Sequence, residues 1–285
     1  MNTRIIQDRF ETYEAKTRQD AENAMAEIAQ EIALAGLSRS DFFKRAVFQG
    51  GTSLRILYGM QRFSEDLDFI LKQPDSDFRL DPYLKGLTIE FGSYGIELEI
   101  RDRSVADESV RKAFIKSDSM GKLLSLKHLE LEGRMKTLKI KFEVDTNPPT
   151  GNVVETKYLD FPFPFPITMQ DPPSLFAGKS HALLCRGYTK GRDWFDFTWY
   201  VGRKTPLNYE FLSSAMDQTG PWQGRGITVT KDWYLKEMEK KIRSIDWEDA
   251  RQDVIRFLRQ SDGAILQLWS CEFFLDRLDK LRGYL

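Results

Sequence analysis

The stretch GGTSLRILYGMQRFSEDLDF, Gly50–Phe69, decides how the first half of this chain folds. A brief strand is predicted just before it, over residues 47–49. The paired glycines then open a helix that continues through Tyr58, because apolar residues recur at helical spacing. From residue 66 to residue 71, alternation and β-branched or aromatic residues predict a second strand. The expected order is strand, glycine turn, helix, strand.

This stretch places two kinds of polar group close together in sequence. Asp66 and Asp68 are two residues apart on the predicted strand, so both carboxylates project from one face, with Cα atoms roughly 6.5–7 Å apart. Gly51, Thr52 and Ser53 stand at a helix start, where free amides and hydroxyls suit phosphate oxygens. Either feature alone is common: an aspartate pair on a strand often faces solvent, and paired glycines before a helix often form an ordinary turn. Together, within 20 residues, they suggest a metal-bound nucleotide.

Composition removes several other classes of site. The chain has two cysteines, Cys185 and Cys271, no CxxC pair, and two histidines. Zinc and multi-histidine centres are therefore not expected, and carboxylates that bind Mg²⁺ or Mn²⁺ remain. No signal-like or membrane-spanning apolar run is present, so we expect a cytoplasmic protein. The formal net charge of -1 argues against a strongly basic polymer binder but leaves a local positive face possible.

The length of 285 residues fits one large domain or two small ones. Apolar spacing predicts an N-terminal helix that stops at Gly36. We expect an α+β chain, with a mixed sheet and flanking helices over 1–160 and a mainly helical domain over 161–285 that completes the site. The boundary is placed at the proline-rich segment 161–173, since proline lacks an amide donor and is not expected in a central strand.

Residues 50–69 resemble the signature of the AbiEii nucleotidyltransferase toxins, which include the MenT toxins. The resemblance implies a polymerase-β-like minimal nucleotidyltransferase fold and the toxin half of a toxin–antitoxin or phage-defence (abortive infection) system. Ser64 matches the family pattern Ser-x-Asp-x-Asp and is expected to contact phosphates. The simpler signature begins Gly-Ser, whereas here Thr52 and then Ser53 follow the glycines, so the hydroxyl that binds phosphate stays open.

Residues 138–145 resemble the strand that supplies a third carboxylate in such folds. The resemblance implies Asp145 as a metal ligand together with Asp66 and Asp68, and Glu143, on the same face, is the fallback. The residues alone predict equally well a strand that ends in turn-forming Asp-Thr-Asn-Pro-Pro.

The helix after the proline-rich segment carries Lys179 and Arg186 on one stripe. The residues alone favour a solvated basic stripe, whereas the resemblance aligns Lys179 with the family lysine that holds the triphosphate. Residues 190–196 are similar to the family motif K-x-R-D-x-x-D. Asp193 is the preferred functional residue there, and Asp196, expected at the nucleotide, comes next; a capped helix start is the alternative.

The resemblance implies transfer of NMP from an NTP to an RNA acceptor such as tRNA, with Mg²⁺ or Mn²⁺, and a cognate antitoxin as partner. A small-molecule nucleotidyltransferase of the antibiotic-modifying type and an inactive binding protein are the alternatives. Two segments carry net charges of +4: residues 121–141, with six basic and two acidic side chains, and residues 176–192, with four basic and none acidic. They predict a positive face suited to RNA. The sequence names neither the NTP nor a role for 205–285.

Overall fold

The structure is a computed structural model that describes residues 4–105, 108–117 and 137–285. The chain divides into two compact units. The first comprises residues 1–148 and 155–169, and the second comprises residues 149–154 and 170–285. Residues 161–169 group with the first unit. The predicted domain boundary after residue 160 stays a prediction.

Helices and strands both build the first unit, whereas helices dominate the second. The first unit contains α1 (Arg4–Glu11), α2 (Arg18–Arg39), a 3-10 turn (Phe42–Lys44), β1 (Ala46–Gln49), α3 (Gly50–Tyr58), β2 (Asp66–Leu71), α4 (Asp81–Ser93), β3 (Glu99–Asp102), β4 (Val110–Ser117), β5 (Leu138–Asp145), β6 (Val154–Leu159) and β7 (Phe165–Gln170). The second contains α5 (Pro172–Cys185), α6 (Gly191–Gly202), α7 (Tyr209–Gln218), α8 (Lys231–Arg243), α9 (Trp247–Ile255), a 3-10 segment (Gln260–Leu268) and α10 (Cys271–Arg282).

The described strands form one mixed sheet with the order β3-β4-β5-β2-β1-β7-β6. Strand β2 runs antiparallel to β1 and parallel to β5, and β4 runs antiparallel to β5. The order β1, α3, β2 is the one predicted from residues 47–71. The predicted α+β class, with a mixed sheet followed by a mostly helical region, is confirmed.

One face of the sheet is covered by an aromatic core. Phe42, Phe69 and Phe142 are fully buried, and the Phe69 ring centroid lies 4.9 Å from that of Phe42 and 5.1 Å from that of Phe142. Side chains alternate along a strand, so burying Leu67 and Phe69 turns their polar neighbours to the opposite face. The core thus fixes which side of β2 is available for chemistry.

Two sequence predictions about glycine and proline were wrong. Helix α2 passes through Gly36 and ends at Arg39, so the glycine does not stop the helix. A Cβ at position 36 would lie 2.9 Å from Glu90 Cβ, so glycine allows close packing of α2 against α4. Strand β7 is an interior strand, between β1 and β6. Where β7 pairs with β1, Met169 is the register partner of Phe48. The exposed Pro166 comes before Met169 in β7, so the prolines precede the paired position.

The second unit is helical and has its own aromatic core. Trp194 is 1% exposed, and Trp247 stacks on Phe274 with ring centroids 4.0 Å apart. Helix α5 starts with Pro172 in its first turn and with the Asp171 carboxylate accepting a hydrogen bond from the Ser174 amide at 2.9 Å. None of the helices in the described ranges is long and apolar enough to cross a membrane.

Candidate active site

The open face of β2 carries Asp66 and Asp68, both half-buried, on either side of the buried Leu67. In register, Gln49 of β1 lies beside Asp68 on one side, and β5 lies on the other. The structure therefore places both predicted carboxylates on one side of an interior strand.

The parallel pairing of β2 with β5 decides which carboxylate lies nearest to this pair. Glu143 is the register partner of Asp68, whereas Asp145 is the partner of Ile70, further along both strands. The Asp145 carboxylate accepts a hydrogen bond from the Asn147 amide at 2.9 Å, as expected for the turn that ends β5. Burial raises the pKa of Asp145 despite that bond. The register favours Glu143, the fallback residue, as the neighbour of Asp68.

A lysine that the sequence reasoning did not single out lies among these acids. Lys141 is the register partner of Asp66, and its Nζ lies 2.6 Å from Glu143 Oε2. Burial alone would lower the pKa of Lys141, but Glu143, Asp66 and Asp68 outweigh burial and raise it. The face therefore carries a fixed positive charge beside its carboxylates. Strand alternation was the only signal in the sequence that could have revealed it.

The glycine turn brings the start of α3 against this face. Gly50 has a positive φ of 82°, and a Cβ there would lie 2.7 Å from Asp68 Oδ2. A Cβ on Gly51 would collide with the guanidinium of Arg62, a buried side chain that the sequence reasoning also left unassigned. Ser64 Oγ lies 3.2 Å from the same Cβ position. Only glycines let the helix begin this close to an aspartate.

The hydroxyls of Thr52 and Ser53 are both bonded to main-chain carbonyls. Thr52 Oγ1 donates to the Asp66 carbonyl, and Ser53 Oγ donates to the Gly50 carbonyl at 2.8 Å. The two side chains are 1% and 0% exposed. Thr52 thereby ties the start of α3 to β2, and Ser53 bonds within the first turn of α3. Their predicted role in nucleotide binding stays a prediction. The groups at this helix end that suit an anion are the first-turn amides.

A buried ionic network holds the loop between α3 and β2. Arg55 Nε donates to Glu27 Oε2 at 2.6 Å, and Arg55 Nη1 donates to the Met60 carbonyl at 2.8 Å. From α2, Gln30 Nε2 donates to the Ser64 carbonyl at 2.9 Å. Helix α2 thereby positions the loop that leads into Asp66.

In the second unit, the predicted cations and acids form one ion-pair network. Lys179 of α5 lies 2.7 Å from Asp193 Oδ1 and 2.8 Å from Asp196 Oδ2 of α6, and Arg186 also pairs with Asp193. Lys179 is only 13% exposed and Asp196 is fully buried, so this is not a solvated basic stripe. Burial would raise the pKa of Asp193, but Lys179, Arg186 and Lys190 lower it on balance.

The donor set on β2 fits Mg²⁺ or Mn²⁺. Within residues 4–105, 108–117 and 137–285, no group of three or more His, Cys, Asp or Glu side chains is arranged to hold a metal ion. Magnesium in nucleotide sites is commonly held by one or two carboxylates, with waters and substrate phosphates completing the shell. Asp66 and Asp68 satisfy that requirement.

The two predicted basic segments differ in how much of them the structure covers. Residues 121–136 lie outside the described residues, and only the end of that segment, on β5, is described. Segment 176–192 is described in full, and its Lys179 and Arg186 are engaged by Asp193. The positive face predicted from the two segments together stays a prediction.

Comparison with known proteins agrees with the sequence resemblance. The family model "Nucleotidyl transferase AbiEii toxin, Type IV TA system" matches residues 32–277. The chain is similar to a crystal structure of a candidate nucleotidyltransferase from Helicobacter pylori, at 16% identity and a TM-score of 0.48 over 90% of each chain. It is also similar to JHP933 from Helicobacter pylori, at 17% identity and a TM-score of 0.49 over 90% of this chain and 89% of that one. No curated protein matches the chain. The match covers most of the chain, which belongs to the AbiEii nucleotidyltransferase toxin family of type IV toxin–antitoxin systems.

Proposed function

We propose that this protein is a Mg²⁺- or Mn²⁺-dependent toxin that transfers NMP from an NTP to an RNA acceptor, with tRNA as the expected acceptor. The observation that carries the proposal is the contact between the Gly50 turn and Asp68, beside Asp66 on the open face of β2. It joins a helix end that attracts phosphate to a carboxylate pair that suits a divalent ion.

In this proposal Asp66 and Asp68 hold the metal ion, which supplies charge stabilisation at the phosphates when bound. The main-chain amides at the start of α3 orient the triphosphate, with Ser64 beside them. The third carboxylate is Asp145, as the resemblance implies, or Glu143, as the register favours.

The chemistry is an in-line displacement without a covalent enzyme intermediate. An acceptor hydroxyl oxygen forms a bond to the α-phosphorus while the bond from that phosphorus to the bridging α–β oxygen breaks, and pyrophosphate leaves. The hydroxyl proton passes to a carboxylate, either Asp68 or Asp145.

The family resemblance also implies a role for two cations of the second unit. Lys179 is proposed to neutralise charge on the polyphosphate, with Arg186 assisting. Asp193 and Asp196 hold the Lys179 ammonium in place through contacts of 2.7 and 2.8 Å. An ammonium fixed by buried carboxylates loses less side-chain freedom when it meets a phosphate than a solvated one does.

The RNA acceptor is proposed from the charge of residues 121–141 and 176–192 and by analogy with the family. Membership of a type IV toxin–antitoxin family implies an antitoxin. We propose that the antitoxin is encoded with this protein, without assigning a binding surface to it.

The test is a transfer assay with purified protein, Mg²⁺, each α-labelled NTP in turn, and either total RNA or purified tRNA. We expect label in the tRNA band, lost with Asp66→Asn and kept with Glu99→Gln, an exposed carboxylate on β3. Label only on small acceptors would instead favour the antibiotic-modifying type of enzyme. Absence of transfer with every NTP and acceptor would overturn the proposal and favour an inactive binding protein.

A further inference from the structure

One cation on β5 belongs to the same open face as the proposed metal ligands. Lys141 is the register partner of Asp66, and Glu143 is the register partner of Asp68. Their neighbours Ile140 and Phe142 are fully buried, so alternation places Lys141 and Glu143 on the opposite side of the sheet from the core. Four charged side chains therefore share one face of two adjacent strands.

The position of Lys141 differs from that of an ordinary surface lysine. Its Nζ lies 2.6 Å from Glu143 Oε2, and the two side chains are 38% and 21% exposed. Three carboxylates and one ammonium leave this part of the face with a formal charge of −2. The ammonium is thus held beside the acids yet remains accessible to an ion or a nucleotide that binds there.

We propose that Lys141 is a resident counter-ion of the Asp66–Asp68 pair that makes metal binding depend on nucleotide binding. This rests on the proposed function, because it assumes that a divalent ion and an NTP meet at these two aspartates. Lys141 is a positioning residue in this scheme: it acts through the charge balance of the face and takes no proton in the reaction.

The physical reason is the electrostatic balance of the face. A divalent ion that binds to Asp66 and Asp68 alone is repelled by the ammonium of Lys141 on the neighbouring strand. A nucleoside triphosphate brings several negative charges, which offset both the metal ion and Lys141. Metal and nucleotide should then bind more tightly together than separately, and by linkage the coupling is reciprocal.

The ordinary account of Lys141 is a strand lysine that pairs with Glu143 and stabilises β5. That account predicts little effect on ion binding, because an ion pair between partly exposed side chains is weak. The two accounts differ in the affinity of the free protein for a divalent ion, which can be measured without turnover.

The experiment measures Mn²⁺ binding to the full-length protein by calorimetry and by the loss of the free-Mn²⁺ EPR signal. Each titration is repeated with the α,β-methylene analogues of ATP, CTP, GTP and UTP, which resist transfer. The test variant is Lys141→Met, which keeps length without charge. The matched control is Lys139→Met, on the same strand and face. Lys139 lies two residues further than Lys141 from Glu143, the register partner of Asp68.

We expect Lys141→Met to bind Mn²⁺ about tenfold more tightly than the unaltered protein when no nucleotide is present. The gain in Mn²⁺ affinity on adding the analogue should shrink in this variant, and Lys141→Arg should restore it. Lys139→Met should stay within about twofold of the unaltered protein. The double change Asp66→Asn with Asp68→Asn should abolish the Mn²⁺ signal, which locates the site.

Equal or weaker Mn²⁺ binding by folded Lys141→Met would overturn the proposal, and so would undetectable binding to the unaltered protein with every analogue. Circular dichroism checks folding, and Lys141→Gln serves as the second neutral variant if the methionine variant misfolds. The transfer assay separates the two proposals. Loss of coupling in Lys141→Met without any transfer by the unaltered protein would refute the proposed function and leave the counter-ion role standing.

Discussion

Gly50 lies directly against the carboxylate of Asp68, so close that a Cβ on the glycine would stand 2.7 Å from Asp68 Oδ2. Its φ of 82° adds a second reason for glycine at this position. The first residue of α3 and a proposed metal ligand on β2 are thereby fixed relative to each other. The consequences of this contact are measurable.

Gly50→Ala should reduce nucleotidyl transfer by about a hundredfold, because the added methyl group displaces Asp68 from its position. The matched control is Gly59→Ala at the other end of α3. Gly59 also has a positive φ, of 67°, but a Cβ there meets no atom within 4 Å. Both variants should lose about 1 kcal/mol of unfolding free energy from backbone strain. Equal transfer rates in the two variants would show that the contact with Asp68 is unimportant.

The register of β2 with β5 predicts which third carboxylate matters. Glu143→Gln should lower transfer by about tenfold to a hundredfold. Asp145→Asn should have the smaller effect, since Asp145 lies beside Ile70 and its carboxylate accepts a hydrogen bond from the Asn147 amide. Initial rates at saturating NTP and acceptor provide the measurement. If Asp145→Asn were the more damaging change, Asp145 would be the third carboxylate, as the family resemblance implies, and the assignment of Glu143 from the register would be wrong.

Lys179→Met should destabilise the protein by about 3 kcal/mol, because it leaves the buried carboxylates of Asp193 and Asp196 without their shared ammonium. Chemical denaturation followed by circular dichroism measures the loss. Lys240→Met, which removes an exposed helix-surface pair with Glu237, is the control and should change the unfolding free energy by less than about 1 kcal/mol. Similar stability of the two variants would mean that the Lys179 network adds little to the fold.

Stability should depend on pH through Glu31 of α2. Burial raises the pKa of this carboxyl from 4.5 to about 7, although its bond with Arg9 opposes the shift. Between these values the folded chain retains a proton that the unfolded chain has released, so the unfolding free energy should fall as pH rises from about 4.5 to about 7. Below about pH 4.5 both states are protonated and the contribution of Glu31 is fully present.

The measurement is a series of urea denaturations across that pH range. Glu31→Gln should flatten the slope by up to about 1.4 kcal/mol per pH unit, whereas Glu11→Gln, at an exposed position on α1, should leave it unchanged. The lowered pKa of Asp193 acts in a different window, since its contribution is lost only as pH falls below about 3.8. A slope that Glu31→Gln does not alter would contradict the prediction.

Local rules in the sequence were sufficient where a single element decides the outcome. The spacing of Asp66 and Asp68 placed both on one side of a strand, and the paired glycines predicted the start of α3. Glycine and proline misled where their role depended on a distant partner. Gly36 lies inside α2, where the missing side chain lets Glu90 pack close. Pro166 lies in β7 before Met169, which is the register partner of Phe48 on β1.

The sequence by itself determined the class of fold, the carboxylate pair, the glycine turn and the family, because each depends on residues that are neighbours in the chain. Only the tertiary structure decided that Glu143 lies beside Asp68, that Lys141 accompanies Asp66, and that the Thr52 and Ser53 hydroxyls are used within the fold. The pairing of β2 with β5 joins segments about 75 residues apart in sequence, and strand alternation gives each segment a face but no register. Register is set by packing of the whole sheet, which no local pattern contains.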